Sequence, residues 1–600
     1  MSSTASSPQT RAARARTLYL RDLAQRVRGL IRGSEASMVA LGVIAGIVAG
    51  LAVALLGTIS SEMHSLLFGI GAERLSGVRH LPKGYFVPIL GGLVLAAVNY
   101  LWTRRRRTIA IDPIEANALH GGRMPLRDSL WVTFQTLLSN GVGASVGLEA
   151  GYAQMGGGLA SKLGAALRLR RADLRVLVGC GAGGAIGAAF GAPLTGAFYA
   201  FELIVGVYSI GNAAPILAAS LAGVLTARAV RAVTYHIVMP PAAVPLLVDY
   251  PTMIAFGILC AGLGIFIMRA VALMERAQSL IRLPAAIRPV LGGCLMTGLA
   301  LITPQVLSSG HGALAADLPA RLSAQTLITL IALKMAASVI SLGTGFRGGL
   351  FFASLFLGAL AGKLAAVLLA AYAPALSVDP TICVLVGMST LAVSVVGGPL
   401  TMSFLVLETT GDFAVTIIVL AACVIASLVT RLTFGYSFST WRIHLRGETI
   451  RSAIDVGWMR QLIVQRMMRR EPPTIDAEAT LEELRQRHPL GSTQRVVVLD
   501  SDGRYLGIAL TGEAFAADNQ PGGDAGRTAG DIARWPDQVL LPEMNVKQAV
   551  SVFERAEAEA LAVVDSMDSR KVVGLLTEGY ALRRYAEELD KARSGLTGGG

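Results

Sequence analysis

The sequence predicts an all-α polytopic membrane domain followed by a soluble α/β tail, and three observations carry this prediction. The 600 residues are 53% hydrophobic and 16% charged, which is too apolar for a water-soluble domain of ordinary composition. Apolar segments of helical length recur between Val39 and Thr433, where charged residues are rare. After Arg446 the composition is that of a soluble protein. We therefore expect a basic N-terminal segment at 1–36, a membrane domain at 37–447, a soluble domain at 448–590 and a flexible end at 591–600.

Basic residues determine the expected orientation in the lipid bilayer. The net charge is +13, but the basic residues lie in short runs beside apolar segments, which does not indicate a nucleic-acid partner. The positive-inside rule then places the N-terminus in the cytoplasm, and with it the C-terminal tail. A solvated basic arm without a topological role is the alternative. The runs are Arg11, Arg14, Arg16, Arg21, Arg26, Arg28 and Arg32 before the first apolar segment, and Arg104 to Arg107 after the second.

Two features bear on cellular location and metal binding. The first apolar run, Met38 to Leu56, begins too far into the chain for a cleaved signal peptide and is long enough to span a membrane. The compact chain suggests the plasma membrane of a bacterium, its inner membrane. The histidines form no cluster, and the cysteines lack metal-ligand spacing, so no metal site is predicted. We expect the cysteines to be small buried hydrophobic residues: Cys180, Cys260, Cys294, Cys383 and Cys423.

Many apolar segments of the membrane domain are interrupted. Several are too short to cross about 30 Å of hydrocarbon, and many end at glycine or proline. Broken helices are tolerated inside a membrane only where they are buried in protein or line a polar cavity, so they indicate a binding site. The segments lie at 38–58, 84–102, 128–140, 147–166, 174–190, 194–209, 213–230, 251–274, 287–303, 323–342, 349–370, 382–394, 398–408 and 414–431.

The membrane domain repeats itself at a distance of about two hundred residues. The sequence Gly191-Ala-Pro-Leu-Thr195 leads to Glu202, and Gly397-Gly-Pro-Leu-Thr401 leads to Glu408 with the same spacing. Upstream of these, Gly147-Leu148 and Gly349-Leu350 open two further matching segments. Two motifs in the same order and spacing predict two homologous halves.

The tail repeats as well, with a period near sixty-five residues. A helix at 480–488 precedes strands at 495–500 and 505–510, which flank a Ser-Asp-Gly turn. A helix at 545–557 then precedes strands at 561–565 and 572–576. The Gly- and Asp-rich linker at 518–527 separates the two copies.

Glu149 is the most informative side chain of the membrane domain. It lies in Gly147-Leu-Glu-Ala-Gly151, inside an apolar stretch, where a carboxylate is costly and indicates function. The flanking glycines and the N-terminus of the following helix would present backbone N–H groups to an anion. An ionised Glu149 would occupy the anion's own site, and a protonated one would leave it. A carboxylate that pairs with a base or faces water is the alternative.

The second half supplies Gly348-Gly349-Leu350-Phe351-Phe352 in the matching place. A phenylalanine in a membrane segment is usually packing, but the place of Phe351 opposite Glu149 makes a role in the anion path equally plausible.

Together these motifs resemble the CLC family of chloride channels and chloride/proton exchangers, from the first helix to about Gly447. The resemblance rests on 147–151, on Gly191-Ala-Pro-Leu-Thr-Gly followed by Phe201-Glu202, and on 348–352. It implies a homodimer in which each subunit has its own anion path, built from inverted halves whose helix N-termini meet near the midplane. It also implies an anion site formed by Gly147, Leu148, Ala150, Gly151, Ala110, Ile111, Asp112, Leu350, Phe351, Phe352 and Ser439, with Glu149 as gate and proton carrier.

Several positions depart from the pattern of that family. The serine that contacts the anion corresponds to Ala110, and the central tyrosine corresponds to Ser439. The inner proton glutamate corresponds to Leu203, and the basic residue before the gate corresponds to Leu148. Chloride selectivity and tight proton coupling are therefore both in question. Asp112 would repel anions if it faced the path, so we expect it to cap a helix instead.

The tail resembles a pair of CBS domains, at about 458–517 and 528–588, which in that family and others can bind adenine nucleotides. The usual nucleotide-contacting residues are degraded here, and a dimerising scaffold is the alternative. The corresponding positions are Leu510 and Glu513 in the first copy, and Thr577 and Tyr580 in the second. Beyond an adenine nucleotide at this pair we predict no cofactor.

One further motif would suggest a dinucleotide-binding site. Gly179-Cys-Gly-Ala-Gly-Gly184 fits a dinucleotide fingerprint, but it follows no soluble strand, and small residues between membrane segments serve close helix packing. We predict helix packing there and no enzymatic activity for the chain.

The leading hypothesis is movement of chloride or a related anion through a path gated by Glu149, as a voltage- or pH-gated channel or with weak proton coupling. A strict chloride/proton antiporter is the alternative within this class. A CBS-regulated divalent-cation transporter is the alternative of another class, but it needs several intramembrane oxygen ligands. Glu202 and Glu408 look like structural residues that satisfy backbone donors. A sensor that conducts nothing is a third possibility.

Overall fold

The structure, a computed structural model, divides into two compact units, Met1–Ile454 and Asp455–Gly600. The basic N-terminal runs, the expected boundary at 447/448, most of the linker at 518–527 and the end at 591–600 lie outside the described residues. The residues described are 35–70, 72–78, 80–105, 110–230, 237, 239–284, 286–445, 462–517, 526–584 and 587.

The first half of the membrane unit is built from helices of very unequal length, and α7 continues into a π-helical turn at Ala200–Val205. The helices are α1 (Glu35–Phe68), α2 (Val87–Arg105), α3 (Pro113–Leu119), α4 (Leu126–Gly141), α5 (Glu149–Ala166), α6 (Arg171–Phe190), α7 (Pro193–Tyr199) and α8 (Ile210–Ala229).

The second half follows the same plan, with short 3-10 turns at Pro304–Val306 and Pro374–Leu376. Its helices are α9 (Asp249–Leu280), α10 (Arg288–Ile302), α11 (His311–Asp317), α12 (Ala324–Gly343), α13 (Phe351–Tyr372), α14 (Pro380–Val396), α15 (Pro399–Thr410), α16 (Phe413–Thr433) and α17 (Phe438–Leu445).

Both long and broken helices occur, as the sequence predicts. Among the described residues, seven helices are long and apolar enough to cross a membrane by length and composition, and four apolar helices are shorter. The short helices α3 and α11 were not predicted, because seven residues are too few to show an apolar period. Cys294 on α10 is exposed, contrary to expectation, whereas the other four cysteines are buried. Hydropathy cannot tell the outward face of an apolar helix from its inward face.

Small residues bring the helices of each half together. Gly156 on α5 lies so close to Gly181 on α6 that a Cβ on either glycine would overlap the other's carbonyl oxygen. In the second half, Gly358 on α13 and Gly387 on α14 are in the same relation. The glycine-rich segment 179–184 is therefore part of a tight helix contact, and its predicted packing role is confirmed.

The two halves also exchange contacts at equivalent positions. Gly147 and Gly349 form an antiparallel bridge, with N–H···O distances of 2.9 and 3.1 Å. Pairing of a position with its own repeat equivalent, running in opposite directions, is what a local two-fold axis produces. The geometry agrees with two inverted repeats.

Two carboxylates complete this exchange. Glu408 at the end of α15 accepts hydrogen bonds from the N–H groups of Leu194 and Thr195 at the start of α7, at 2.7 and 2.8 Å. Glu202 beyond α7 accepts from Leu400 and Thr401 at the start of α15, at 3.0 and 2.8 Å. The threonine hydroxyl donates in both cases, at 2.7 and 2.6 Å. Each half therefore caps a helix of the other, and the predicted structural role of the two glutamates is confirmed.

The second unit contains two helix–strand–strand copies. The strands β1 (Thr474–Asp476), β2 (Arg495–Leu499) and β3 (Tyr505–Leu510) form one sheet, in which β1 is parallel and β3 antiparallel to β2. The strands β4 (Ala560–Val564) and β5 (Val572–Thr577) form an antiparallel pair. The helices of this unit are α18 (Val464–Met467), α19 (Leu481–Arg487), α20 (Thr511–Ala517) and α21 (Val546–Ala556).

The copies of the tail are tied reciprocally, like the halves of the membrane unit. Arg534, which precedes the helix of the second copy, forms a bridge with Ile508 of the first copy, and Arg469, which precedes the helix of the first copy, forms a bridge with Leu575 of the second. Thr480 caps α19, and Asn545 with Gln548 forms a capping box on α21, which explains why both helices were predictable from sequence.

Candidate anion path

Glu149 is the first residue of α5, and it is only 3% exposed. Neither carboxylate oxygen has a hydrogen-bond partner among the described residues. The carboxylate folds back over the glycine bridge, so that a Cβ on Gly147 would overlap its Oε2 atom, and a Cβ on Gly349 would lie 3.5 Å from it. A buried carboxylate without a partner is costly and is retained where it serves a function.

Two helix N-termini meet beside this carboxylate. The helices α5 and α13 begin at Glu149 and Phe351. The residues at their N-caps, Leu148 and Leu350, have no side-chain acceptor for the first N–H groups. The first N–H groups of a helix have no partner inside the helix and carry the positive end of its dipole. The glycine bridge therefore brings together two sets of donors suited to an anion.

A cavity of about 380 Å³ opens onto these helix ends. Segments far apart in the chain form its walls, from the loop before α3 to the start of α17. The predicted site residues among its lining are Ala110, Asp112, Glu149, Ala150, Leu350, Phe351 and Ser439.

The remaining predicted residues of the site lie behind this lining. Gly147 and Leu148 belong to the turn into α5, Gly151 lies in the first turn of α5, and all three are buried. The carbonyl of Ile111 accepts a hydrogen bond of 2.9 Å from Gln154 Nε2, which ties the loop 110–112 to α5. Phe352 stacks on the ring of His311 and on Phe190, so it packs away from the cavity.

Asp112 has the predicted capping role. Its Oδ1 atom accepts a hydrogen bond of 2.7 Å from the N–H of Glu115, and it is the N-cap of α3. The side chain is nevertheless only half-buried and also lines the cavity.

Leu203 lies elsewhere. It lines a separate cavity of about 70 Å³, together with Glu202, Gly397 and Tyr436. An aliphatic side chain cannot carry a proton, so this position contributes no proton station. Ser439, by contrast, shares the main cavity with Glu149 and places a short hydroxyl there.

The sequence analysis missed four titratable residues of the main cavity: Tyr199, Glu275, Arg347 and Arg442. Arg347 lies two residues before Gly349 of the bridge, and its N–H donates to Ser139 Oγ at 3.0 Å. Each of the four is a polar residue in or beside an apolar segment, which could have marked it as a candidate. Nothing in the sequence shows that the four share a cavity.

A buried polar cluster supports the bridge from behind. Lys334 is 1% exposed, and its Nζ donates to the carbonyls of Val306 and Ser308 at 3.1 and 2.7 Å. Asn140 Nδ2 donates to Ser308 Oγ at 3.1 Å and to the carbonyl of Val146 at 2.8 Å. The segment before Glu149 is thus fixed by hydrogen bonds from both halves.

The predicted nucleotide-contacting positions occupy equivalent places in the two copies of the tail. Leu510 and Thr577 are the last residues of β3 and β5, where their backbones pair with the neighbouring strand. Glu513 forms a 2.5 Å ion pair with Arg534, and Tyr580 is exposed. Nucleotide binding stays a prediction.

Fold and site together define a multi-pass helical membrane protein with two inverted halves and donors for an anion where the halves meet. The chain belongs to the voltage gated chloride channel family, whose family model matches residues 91–431, more than half of the chain. The model of the CBS domain matches residues 464–512.

Individual relatives agree with this assignment. A ClcB-like chloride channel protein of Ralstonia nicotianae is 27% identical over 354 residues, which are 58% of this chain and 82% of the relative. The voltage-gated ClC-type chloride channel ClcB of Escherichia coli O9:H4 (strain HS) is 26% identical over 366 residues, 60% of this chain and 86% of the relative.

Two solved structures share the fold. A slow cyanobacterial Cl⁻/H⁺ antiporter has a TM-score of 0.57 at 21% identity and covers 68% of this chain and 97% of its own. A eukaryotic CLC transporter has a TM-score of 0.57 at 16% identity and covers 92% of this chain and 98% of its own.

Proposed function

We propose that this protein moves chloride, or a similar small inorganic anion, through the cavity that ends at Glu149, and that Glu149 is the gate. The observation that carries this proposal is the buried carboxylate without a hydrogen-bond partner, held where two uncapped helix N-termini meet. The names of the bacterial relatives as chloride channels support the choice of ion.

The gate works by competition. An ionised Glu149 lies beside the N–H donors that an anion needs and repels a second negative charge at close range. Protonation removes that charge, and the neutral side chain can rotate out of the site. Anion flux therefore rises as the pH falls.

Coupling is weak in this proposal. The family-type inner proton position is the aliphatic Leu203, and it lies in a different cavity from Glu149. A channel or a loosely coupled transporter fits these observations better than a strict antiporter.

A cation path has less support. Glu202 and Glu408, which could have supplied oxygen ligands, each accept three hydrogen bonds as caps on the opposite half. Arg347 and Arg442 line the main cavity, which favours anions.

We extend the proposal to the setting of the protein. It acts as a homodimer in a bacterial inner membrane, with both termini in the cytoplasm, and the CBS pair is a regulatory or dimerising module that can accept an adenine nucleotide.

The test is chloride efflux from liposomes that contain the full chain, with external pH recorded at the same time. In the wild type, efflux rises with acidification, because each pH unit changes the protonated fraction of one carboxyl group by up to about tenfold. Glu149→Gln, which mimics the protonated form, makes efflux high and independent of pH. The matched control is Phe351→Leu, the equivalent position of the other half, which leaves the pH dependence in place.

An unchanged pH dependence in Glu149→Gln contradicts the assignment of the gate. No chloride flux at any pH contradicts the choice of ion, and fluoride, nitrate and then cations are measured next.

A further inference from the structure

Two stacked tryptophans mark a membrane boundary beside α2 and α4. The apolar part of α2 ends at Trp102, whose ring stacks on that of Trp131 on α4, with centroids 4.0 Å apart and planes inclined by 4°. Tryptophan is enriched where the hydrocarbon of a bilayer meets the headgroups. This pair therefore indicates the depth of that boundary on the outer surface of the two helices.

The helices α2 and α4 run antiparallel at this boundary. Gln135 Nε2 on α4 donates a hydrogen bond of 2.6 Å to Asn99 Oδ1 on α2. This contact lies three residues before Trp102 and four residues after Trp131, so the start of α4 is on the same side of the membrane as the end of α2. Arg127, four residues before Trp131, is about 6 Å closer to the water, which is a position within the headgroup layer.

One face of α4 joins the headgroup layer to the hydrocarbon. Its members have the i, i+3, i+4 and i+7 spacing of a single helix face, and they are Arg127, Leu130, Trp131 and Phe134. Arg127 is exposed, and Leu130 and Phe134 are 50% and 46% exposed. The ring of Phe134 lies 6.0 Å from that of Trp131. A phospholipid has its parts in the same order, because a charged headgroup lies above apolar acyl chains.

The turn between α5 and α6 adds positive charge on the same side. Ser161 Oγ near the end of α5 accepts a hydrogen bond of 2.9 Å from the N–H of Met124 and donates one of 2.7 Å to the carbonyl of Gly122. The side chain of Arg171 lies against Gly121, where a Cβ would overlap its Nε atom. The exposed basic residues of the two segments are Arg123, Arg127, Lys162, Arg168, Arg170 and Arg171.

These six charges are not compensated by the protein. None of them forms an ion pair with a carboxylate in the part of the chain that the structure describes. The acidic residues of the two segments are Asp128, which is 8% exposed, and Asp173, which is half-buried, so the exposed charge is positive. Positive charge in a loop is enough to set topology, but here it lies directly above an exposed face of aromatic and aliphatic side chains.

We propose that the arginines at the start of α4 and in the α5–α6 turn bind the headgroup of an anionic phospholipid, and that its acyl chains pack on the exposed face of α4. Guanidinium groups such as those of Arg127 and Arg171 suit phosphate, because their planar forks can donate two parallel hydrogen bonds to its oxygens. In the proposed orientation of the protein, this lipid belongs to the cytoplasmic leaflet. The site does not depend on which ion the protein moves.

The experiment measures which lipids the full chain retains. Protein in detergent micelles is equilibrated with equal amounts of phosphatidylglycerol and phosphatidylcholine that carry identical acyl chains, and the lipids bound per chain are counted by native mass spectrometry. The wild type is expected to retain phosphatidylglycerol in preference. In the double variant Arg127→Gln with Arg171→Gln, each removed charge is expected to lower this preference about fivefold. Arg127→Lys with Arg171→Lys keeps the charges and is expected to keep most of the preference.

The matched control removes two exposed arginines at the end of α9, in Arg276→Gln with Arg282→Gln, where the exposed neighbours are the aliphatic Leu280 and Ile281. This variant is expected to keep the wild-type preference. Glycerol phosphate, which has the phosphate of the headgroup without the acyl chains, is added as a competitor and is expected to leave the lipid bound.

Four results overturn the proposal. The first is equal retention of the two lipids by the wild type, and the second is a wild-type preference in Arg127→Gln with Arg171→Gln. The third is an equal loss of preference in the α9 control, which would show that any exposed arginine at the membrane surface acts in the same way. The fourth is displacement of the lipid by glycerol phosphate, which would assign the arginines to a soluble phosphate compound.

Discussion

The two halves of the membrane unit are equivalent where they hold each other and different where they meet the anion. At the reciprocal caps, Glu202 and Glu408 make the same three hydrogen bonds to the same residue types, with distances that agree within 0.3 Å. At the glycine bridge, one half places Glu149 at the first position of its helix and the other places Phe351.

The symmetric contacts are therefore structural, and the asymmetric pair of Glu149 and Phe351 is the part that meets the anion. The symmetric contacts fix the geometry of two helix N-termini, and a symmetric pair of carboxylates there would repel both each other and an anion. A single ionisable group leaves the second N-terminus free for the anion. The apolar Phe351, 4% exposed and packed against Phe190 at 4.9 Å, fills the other side.

The largest expected effect comes from breaking a symmetric contact. Glu202→Ala and Glu408→Ala each remove an acceptor of three hydrogen bonds, and hydrogen bonds to a charged group contribute about 1.5–3 kcal/mol each. We expect each variant to lower the free energy of unfolding by about 3 kcal/mol or more, by similar amounts in the two halves. Equilibrium unfolding in mixed micelles measures this.

Thr401→Val and Thr195→Val are the graded controls, since each removes one hydroxyl donor and should cost about 1 kcal/mol. A double variant of Glu202→Ala with Thr401→Val should cost less than the sum of the two. If one glutamate can be replaced without loss of stability and the other cannot, the caps are not equivalent.

A smaller effect, on chloride flux, is expected from substitutions of the two bridge glycines, which lie beside Glu149 in different ways. A methyl group in Gly147→Ala overlaps the Oε2 atom of Glu149 and should push the carboxylate out of the site. In Gly349→Ala the methyl group makes an ordinary contact at 3.5 Å. We expect chloride flux at neutral pH to rise about fivefold in Gly147→Ala, the effect of roughly 1 kcal/mol, and to stay unchanged in Gly349→Ala.

Chloride flux from liposomes, measured at a series of pH values, tests whether Gly147→Ala and Gly349→Ala differ in this way. In a Glu149→Gln background, Gly147→Ala should no longer change the pH dependence, because no ionised carboxylate is left to displace. Equal effects of the two alanines would mean that the carboxylate does not rest against Gly147.

Much of this arrangement was predictable from sequence, for identifiable reasons. The helices of the membrane unit follow from apolar segments broken by glycine and proline, and the two-fold relation follows from repeated motifs. Glu149 stood out because a lone carboxylate in an apolar stretch is costly. Asp112 was expected to be a cap because a carboxylate that faced the path would repel anions.

The rest depends on tertiary contacts that no local pattern records. Tyr199, Arg347 and Glu275 come from three separate segments, and only the fold places them in one cavity. Lys334 lies in an apolar segment, where its partners are backbone carbonyls that carry no sequence signal. The reciprocal bridges of the tail are likewise set by packing.

The smallest expected effect compares the hairpin turns of the two tail copies. Asp500 accepts hydrogen bonds from the N–H groups of Asp502 and Arg504 at 3.0 and 2.7 Å. Asp565 accepts one from the hydroxyl of Ser569 and others from the N–H groups of Ser566 and Lys571 at 2.7 and 3.1 Å. The hydrogen bond from Ser569, followed by those from the two backbone groups, lowers the pKa of Asp565 below its usual value.

A carboxyl group whose pKa is lower in the folded state stabilises that state above its unfolded pKa, near 4, and loses this contribution as the pH falls through the lower folded value. Asp565→Asn should therefore destabilise the tail slightly at neutral pH, and the difference from wild type should disappear as the pH drops below about 4. The stability of the tail is measured in the full chain by heating, with hydrogen exchange of the β4–β5 amides as the readout. Asp568→Asn in the same turn is the control. A difference that persists unchanged at low pH would show that Asp565 acts through its shape and not through its charge.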